Sequence, residues 1–191
     1  MKQEMLAQAN QTEIDSYLLE AFTFINASEN YFGEELYRLI LNEFKKLDHL
    51  IQQMDPNQPE AIENFYIFDP SIAHEIFKLA IVKFQEEEIS LAIFVLLTLL
   101  NPENDEFWYR QGIAAQKIEK YDLALKAYEE ALTINPDLIG AKLFLVECYL
   151  ENGSIEKAKS QFAEAKLLTE NTGTDEMWIS FIKEIENITK W

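Results

Sequence analysis

Residues 105–138 constrain the fold more than any other stretch of this sequence. Small and aromatic residues recur there at helical spacing in two successive amphipathic patterns, separated by a short break and closed by a proline. A close approach of two antiparallel helices is predicted by Gly112 and Ala124, because neither side chain holds the helix axes apart. The end of the second helix is predicted by Pro136, since proline lacks the N–H that would continue it. The full pattern comprises Trp108, Gly112, Ala115, Tyr121, Ala124, Tyr128, Ala131 and Pro136.

This spacing is the pattern of the tetratricopeptide repeat, a helix–turn–helix unit of about 34 residues. A single unit of this kind cannot bury its apolar face alone, so the sequence must supply neighbouring repeats. One repeat length after Tyr128 stands Phe162, with alanines around it at the same spacing. We therefore predict a further repeat over residues 139–169.

The position of the preceding repeat depends on which feature is followed. Asn101 and Pro102 lie one full repeat length before Asn135 and Pro136, whereas a second small pair, Ala80 and Ala92, is offset by two residues. We follow the small pair, because helix contact depends on it while a loop can lose two residues freely. The chain then has three repeats within residues 72–170, the minimum for a stable stack. They span residues 72–102, 105–138 and 139–169.

The two regions that flank the repeats are also helical in pattern. We interpret residues 1–70 as an N-terminal helical arm, with a helix start at Thr12 and Asp15, which resemble a capping box. In residues 174–191, apolar side chains form one stripe and charged side chains the other, as expected of a C-terminal capping helix.

Composition supports an all-helical protein. Only five Gly and five Pro occur in 191 residues, and no run alternates in the manner of a strand. The predicted fold is all-α, a tetratricopeptide helical-hairpin stack of three repeats with N-terminal helices and a C-terminal capping helix.

Residues 89–100 form the longest apolar run of the chain. Because a membrane-spanning helix needs about 20 residues, we expect no membrane insertion. A helix that is apolar on all sides must still be covered on all sides. Either the N-terminal region or a second chain covers it, so we expect a homodimer through the N-terminal region or through residues 89–100.

The formal net charge is −18. This charge argues against nucleic-acid binding, which needs clustered Lys and Arg, and against anionic membrane surfaces. The simplest interpretation is a charge that keeps the protein soluble. A sharper one is an acidic coat that keeps a carrier soluble while it holds an apolar or basic client.

The only cysteine, Cys148, excludes an intrachain disulfide and suits the reducing cytoplasm, and we expect it to be a small buried hydrophobe. Because the first residues contain no apolar segment, we also expect no secretory signal.

Residue types that carry catalytic chemistry are sparse. The histidines His49 and His74 lack ligand-type neighbours at metal-binding spacing, and no phosphate-binding or nucleophile motif occurs. The acidic run at residues 86–88 falls in a predicted turn, where a solvated position is expected. We expect no enzymatic activity, no metal and no cofactor.

In a stack of this kind, the first helices of the repeats line a concave groove. The residues predicted to face it are mostly apolar and aromatic, which suits an extended peptide whose side chains enter pockets. Several of them could equally be core between repeats. A clamp of Lys, Arg and Asn for a C-terminal carboxylate is missing. The predicted groove residues are Phe77, Ile81, Phe84, Tyr109, Ile113, Gln116, Leu143, Glu147 and Leu150.

Three segments together resemble the class II type III secretion chaperones, the tetratricopeptide chaperones of translocator proteins. Residues 76–85, 120–128 and 146–158 are similar to the first, second and third repeats of that family. The resemblance covers about residues 72–170. It implies three repeats with N-terminal helices and a C-terminal helix, and frequent dimerisation through the N-terminal part. It also implies that Phe77, Phe84 and Tyr109 match groove residues of the family.

By this resemblance, the expected function is that of a chaperone in the bacterial cytoplasm. Such a chaperone grips an extended segment of a hydrophobic, secreted, membrane-active client in its groove. Components of the secretion apparatus are further expected partners. The alternative is a tetratricopeptide adaptor that assembles a protein complex. A third class, a regulator of an enzyme, would need a small-ligand site, and the sequence contains no pattern for one.

Overall fold

The computed structural model describes residues 2–53, 69–172 and 175–191, with side chains for residues 12–46, 49, 69–170 and 175–191. Within these ranges the secondary structure consists of ten helices and contains no strand, which confirms the predicted all-α class. The chain divides into two compact units, Met1–Pro102 and Glu103–Trp191. None of the helices in the described ranges is both long enough and apolar enough to cross a membrane.

The first unit contains five helices. Three of them precede the predicted repeats, and the other two form an antiparallel pair at the position of the predicted first repeat. The bounds are α1 at Lys2–Asn26, α2 at Glu29–Phe32, α3 at Glu34–Gln53, α4 at Pro70–Val82 and α5 at Glu87–Leu100.

Helix α1 provides the cover that the apolar helix α5 needs. The two helices pack against each other, and every side chain from Leu91 to Thr98 is buried. On α1, Ala21 and Ile25 have no exposed surface. The predicted cover by the N-terminal region is therefore confirmed, because α1 of the same chain packs on α5.

The start of α1 also differs from the prediction. The helix runs without interruption from Lys2, so Thr12 and Asp15 lie in its interior rather than at a cap. The pattern that resembles a capping box is misleading here, because polar residues on the exposed side of a long helix can show the same spacing.

Helices α4 and α5 approach each other closely at the second small pair. Ala80 and Ala92 are fully buried, and the Ser90 hydroxyl donates a hydrogen bond to the Ala80 carbonyl at 3.2 Å. At the start of α4, the Asp69 side chain accepts a hydrogen bond from the Ser71 amide at 2.8 Å, and Pro70 occupies the first turn, where no amide donor is needed.

The second unit contains the remaining five helices. Two antiparallel pairs follow each other and a single helix comes last. The bounds are α6 at Asp105–Lys117, α7 at Tyr121–Ile134, α8 at Ile139–Glu151, α9 at Ile155–Thr172 and α10 at Glu176–Thr189.

Contact between α6 and α7 depends on Gly112. A Cβ atom placed on this residue would lie 2.4 Å from the Tyr128 ring, a separation that packed carbon atoms do not tolerate. Because Tyr128 and Ala124 are fully buried, the ring cannot move aside. The close helix approach predicted from Gly112 is therefore present, and Tyr128 fills the space that the missing side chain leaves.

Helix α10 packs against α8 and α9. The Trp178 ring meets Phe144 of α8 edge to face, with 6.0 Å between ring centroids. Further along the helix, Glu186 forms an ion pair with Lys166 of α9. This helix thus covers apolar surface that the last helix pair would otherwise expose.

Candidate functional site

Helices α6 and α8 lie side by side in the second unit and bring four of the predicted groove residues onto one face. The Gln116 side-chain amide of α6 donates a hydrogen bond to the Glu147 carboxylate of α8 at 2.9 Å. Ile113 and Leu150 lie one helical turn away from this contact, and all four side chains are half-buried. We call Ile113, Gln116, Glu147 and Leu150 the α6–α8 face.

Two further predicted groove residues of this unit belong to the core instead. Leu143 has no exposed surface, and Tyr109 is buried with its ring stacked on Phe144 at 6.1 Å. Burial raises the pKa of Tyr109 to about 12. Neither side chain is accessible to a ligand in this structure, so the prediction that they face an open groove is wrong. For Tyr109, the physical reason is that the neighbouring rings of Tyr128 and Phe144 close over it.

These rings form a cluster that sequence reasoning missed. Gly140 makes room for it, because a Cβ atom there would lie 2.3 Å from the Tyr109 hydroxyl oxygen and 2.8 Å from the Trp178 ring. Phe144 stands at its centre. Neighbouring helix positions are about 100° apart, so helical periodicity alone could not decide whether Leu143 or Phe144 points inward. The cluster comprises Tyr109, Tyr128, Phe144, Trp178 and Phe181.

The carboxylate of Glu147 lies in an unusual environment for an acidic side chain. Burial raises the pKa of this carboxyl, and the nearby Glu184 and Glu151 carboxylates raise it further, whereas the hydrogen bond from Gln116 lowers it. Among the described residues, no Lys, Arg or His nitrogen lies within salt-bridge distance of Glu147. A donor supplied by a ligand would therefore be favoured at this position.

The first unit carries the other three predicted groove residues. On α4, Phe77 is half-buried against Phe94, with 6.0 Å between ring centroids, and Ile81 is 38% exposed. Phe84 lies in the turn after α4, which ends at Val82. The prediction of Phe84 on the first helix of the repeat is therefore wrong, because the helix closes before it reaches this residue.

Cys148 is fully buried, as predicted for a small hydrophobic side chain. Burial raises the pKa of its thiol to about 12, so the sulfur remains protonated at neutral pH. The part of the chain that the structure describes also contains no group of three His, Cys, Asp or Glu residues arranged to hold a metal ion.

Comparison with known sequences identifies the central repeat. Residues 106–138 match the family model of the tetratricopeptide repeat. No curated protein matches the sequence.

Solved structures of secretion chaperones share the fold. The Yersinia enterocolitica type III secretion translocator chaperone SycD is 21% identical, and the match covers 63% of this chain and 92% of SycD with a TM-score of 0.57. PcrH in complex with the chaperone-binding region of PopD is 16% identical, with 66% and 94% of the two chains covered and a TM-score of 0.58. SycD has also been solved in complex with a peptide of the translocator YopD, at 20% identity, 63% and 97% coverage and a TM-score of 0.55. The predicted fold is therefore confirmed: the chain has the tetratricopeptide-type helical fold of SycD and PcrH.

Proposed function

We propose that this protein is a chaperone that holds an extended segment of a hydrophobic, secreted client against the first helices of its repeats. The observation that carries this proposal is the fold shared with SycD and PcrH, which have been solved with translocator segments bound. On this proposal the protein acts by binding and not by catalysis. It works in the bacterial cytoplasm, where its single thiol stays reduced.

The chemistry of the α6–α8 face supports peptide binding. Ile113 and Leu150 provide apolar contacts, and Gln116 and Glu147 provide a donor and an acceptor between them. Clefts that hold extended peptides combine these two kinds of contact, since pockets give specificity and polar groups hold the main chain. In the first unit, considered by itself, Phe77 and Ile81 of α4 are the proposed apolar contact residues.

Dimerisation is the second part of the proposal. Because α1 of the same chain occupies the buried face of α5, a homodimer would use the outer surface of the N-terminal helices. Leu19 on α1 and Leu39 on α3 are large apolar side chains that remain exposed and support this assignment.

The test is co-purification from cells that carry the gene, with tagged wild type, Ile113→Asp and a matched control. The control is Ile134→Asp on α7, an exposed isoleucine outside the α6–α8 face. We expect a protein with long apolar segments to bind wild type and Ile134→Asp and to be lost from Ile113→Asp. Circular dichroism must find the same helicity in all three proteins, and Leu150→Asp replaces Ile113→Asp if that variant fails to fold.

Co-expression distinguishes a chaperone from an adaptor. A chaperone raises the soluble yield of the partner identified by mass spectrometry, because it masks apolar segments that otherwise aggregate. If the partner is equally soluble alone, the protein is an assembly adaptor. If Ile113→Asp and Leu150→Asp, each folded, retain every partner, the α6–α8 face is not the binding surface.

A further inference from the structure

A chain of two hydrogen bonds connects the core of the α6–α7 pair with the α6–α8 face. The Tyr128 hydroxyl donates to the side-chain carbonyl oxygen of Gln116 at 2.9 Å. The Gln116 amide nitrogen then donates to Oε2 of Glu147, also at 2.9 Å. Three helices, α7, α6 and α8, are joined by this chain.

The donor and acceptor properties of the three side chains set the direction of these two hydrogen bonds. Burial raises the pKa of Tyr128 well above its usual value, so its hydroxyl keeps the proton and can donate it. The carbonyl oxygen of Gln116 must face that donor, and its NH₂ group must face Glu147, because an ionised carboxylate only accepts. The Gln116 side chain is thereby held in one orientation.

At the end of this pair of hydrogen bonds, two polar groups have no partner among the described residues. Within the described residues, Oε1 of Glu147 accepts no hydrogen bond, and this oxygen atom is not buried. The NH₂ group of Gln116 has a second hydrogen, for which the described residues contain no acceptor. One donor and one acceptor thus lie next to each other on two adjacent helices.

We propose that Gln116 and Glu147 together bind the main chain of the client, and that Tyr128 is the positioning residue that holds them in place. This inference rests on the proposed peptide-binding function. Every residue of an extended segment other than proline offers one N–H donor and one C=O acceptor, which complement the free carboxylate oxygen and the free amide hydrogen. Recognition of the main chain allows one chaperone to hold segments of differing sequence.

The alternative partner for Glu147 is a basic side chain of the client. A lysine ammonium group has three donors and no acceptor, so it would leave the second hydrogen of Gln116 without a partner. The main-chain assignment satisfies both groups. The experiment below separates the two.

The test uses a dodecapeptide selected from a random phage-displayed library on the immobilised wild-type protein. Each peptide bond is replaced in turn by an ester, which removes one N–H, and binding is measured by fluorescence anisotropy. We expect one ester position to weaken binding to wild type about tenfold, the effect of losing about 1.4 kcal/mol. In Tyr128→Phe and in Gln116→Leu, the same ester should cause at most a twofold change.

The matched control is Tyr149→Phe, which removes a different buried hydroxyl, one that donates to Glu129 at 2.7 Å. It should leave the ester effect at about tenfold. A merely structural role of Tyr128 would weaken all peptides alike and would not abolish the effect of a single ester. Tyr128→Phe keeps the ring against Gly112, and thermal melting verifies that the fold is intact.

Three results overturn the inference in different ways. If the ester effect persists in Tyr128→Phe and Gln116→Leu, the hydrogen-bond chain does not position the main chain. If no ester weakens binding, and replacing a peptide lysine by norleucine weakens binding to wild type but not to Glu147→Gln, the face binds a side-chain charge instead. If the library contains no binder, the peptide-binding function itself fails, and this inference fails with it.

Discussion

At the scale of single residues, the Gly112–Tyr128 contact decides how closely the central helix pair packs. Glycine in a helix interior costs about 1 kcal/mol relative to alanine, so its presence at position 112 needs a compensating reason. The Tyr128 ring provides it, because the ring occupies the space where a Cβ atom would stand.

We expect Gly112→Ala to lower the free energy of unfolding by about 1–2 kcal/mol, since overpacking in a closed core outweighs the gain in helix propensity. Urea denaturation measures the change. In a Tyr128→Leu background, where the ring is absent, the same substitution should be neutral or stabilising. An equal loss in both backgrounds would mean that Tyr128 is not the obstacle.

The turn between α6 and α7 contains a residue with a strained backbone conformation. Glu119 has a φ of 61°, a left-handed conformation that costs a side-chain-bearing residue about 1 kcal/mol, and the equivalent turn between α8 and α9 uses Gly153 at 70°. We expect Glu119→Gly to stabilise the protein by up to about 1 kcal/mol and Gly153→Ala to destabilise it by a similar amount. Thermal melting measures both, and effects of the same sign for both would contradict this explanation.

At the scale of elements, α1 is part of the core of the first unit. Helix α1 packs against α5, and its Ile25 is fully buried, whereas Leu19 on the same helix is 71% exposed. An ionised carboxylate introduced at position 25 would lie in an apolar environment without a partner, which costs several kcal/mol.

We expect Ile25→Asp to detach α1 and expose α5, with increased binding of an apolar dye and a tendency to aggregate. Leu19→Asp is the control and should behave like wild type in the same dye assay. A dye response of Ile25→Asp no greater than that of the control would mean that α1 does not cover α5 in solution.

Helix α10 depends on its aromatic side chains in the same way. Trp178 contacts Phe144 and the backbone at Gly140, whereas the neighbouring Met177 is 57% exposed. We expect Trp178→Ala to cost about 2–4 kcal/mol of stability and to speed hydrogen exchange in α10 above all, while Met177→Ala changes exchange little. Exchange that is equally slow in both variants would contradict a packing role for Trp178.

At the scale of the whole molecule, acidic charge opposes folding at neutral pH. The net charge is −18, and the excess acidic side chains repel one another more strongly in the compact folded state than in the unfolded chain. Glu147 also lowers stability at neutral pH, because its folded-state pKa lies above the ordinary value. The folded protein therefore binds this proton more tightly than the unfolded chain does, and the stability that results is present at low pH and is lost as pH rises through the folded-state pKa.

We expect the urea midpoint to increase as the pH falls from about 8 to about 5.5, and added salt at about 0.5 M to raise it more at the higher pH, since salt screens the repulsion. Glu147→Gln should reduce the pH dependence without removing it. A midpoint that falls on acidification over this range would mean that attractive ion pairs outweigh the repulsion.

The candidate site was only partly predictable from the sequence. Gln116 and Glu147 meet in a hydrogen bond, and Ile113 and Leu150 are half-buried one turn away on the same two helices. That these four residues face a peptide-binding groove stays a prediction. Tyr109 and Leu143 are buried, and Phe84 lies in a turn. Periodicity assigns a residue to one side of its own helix, but it contains no information about which neighbouring ring closes over that side or where a helix ends.

By itself, the sequence determined the all-helical class, the helix pairs, and the small residues at the contacts of α4 with α5 and of α6 with α7. These features depend on residues close together in the chain, whose spacing and size act locally. Only the tertiary structure decided that α1 covers α5, that the aromatic cluster encloses Tyr109, and that Tyr128 reaches Glu147 through Gln116. Each of these depends on distances between side chains far apart in sequence, which packing of the whole unit sets and no local pattern encodes.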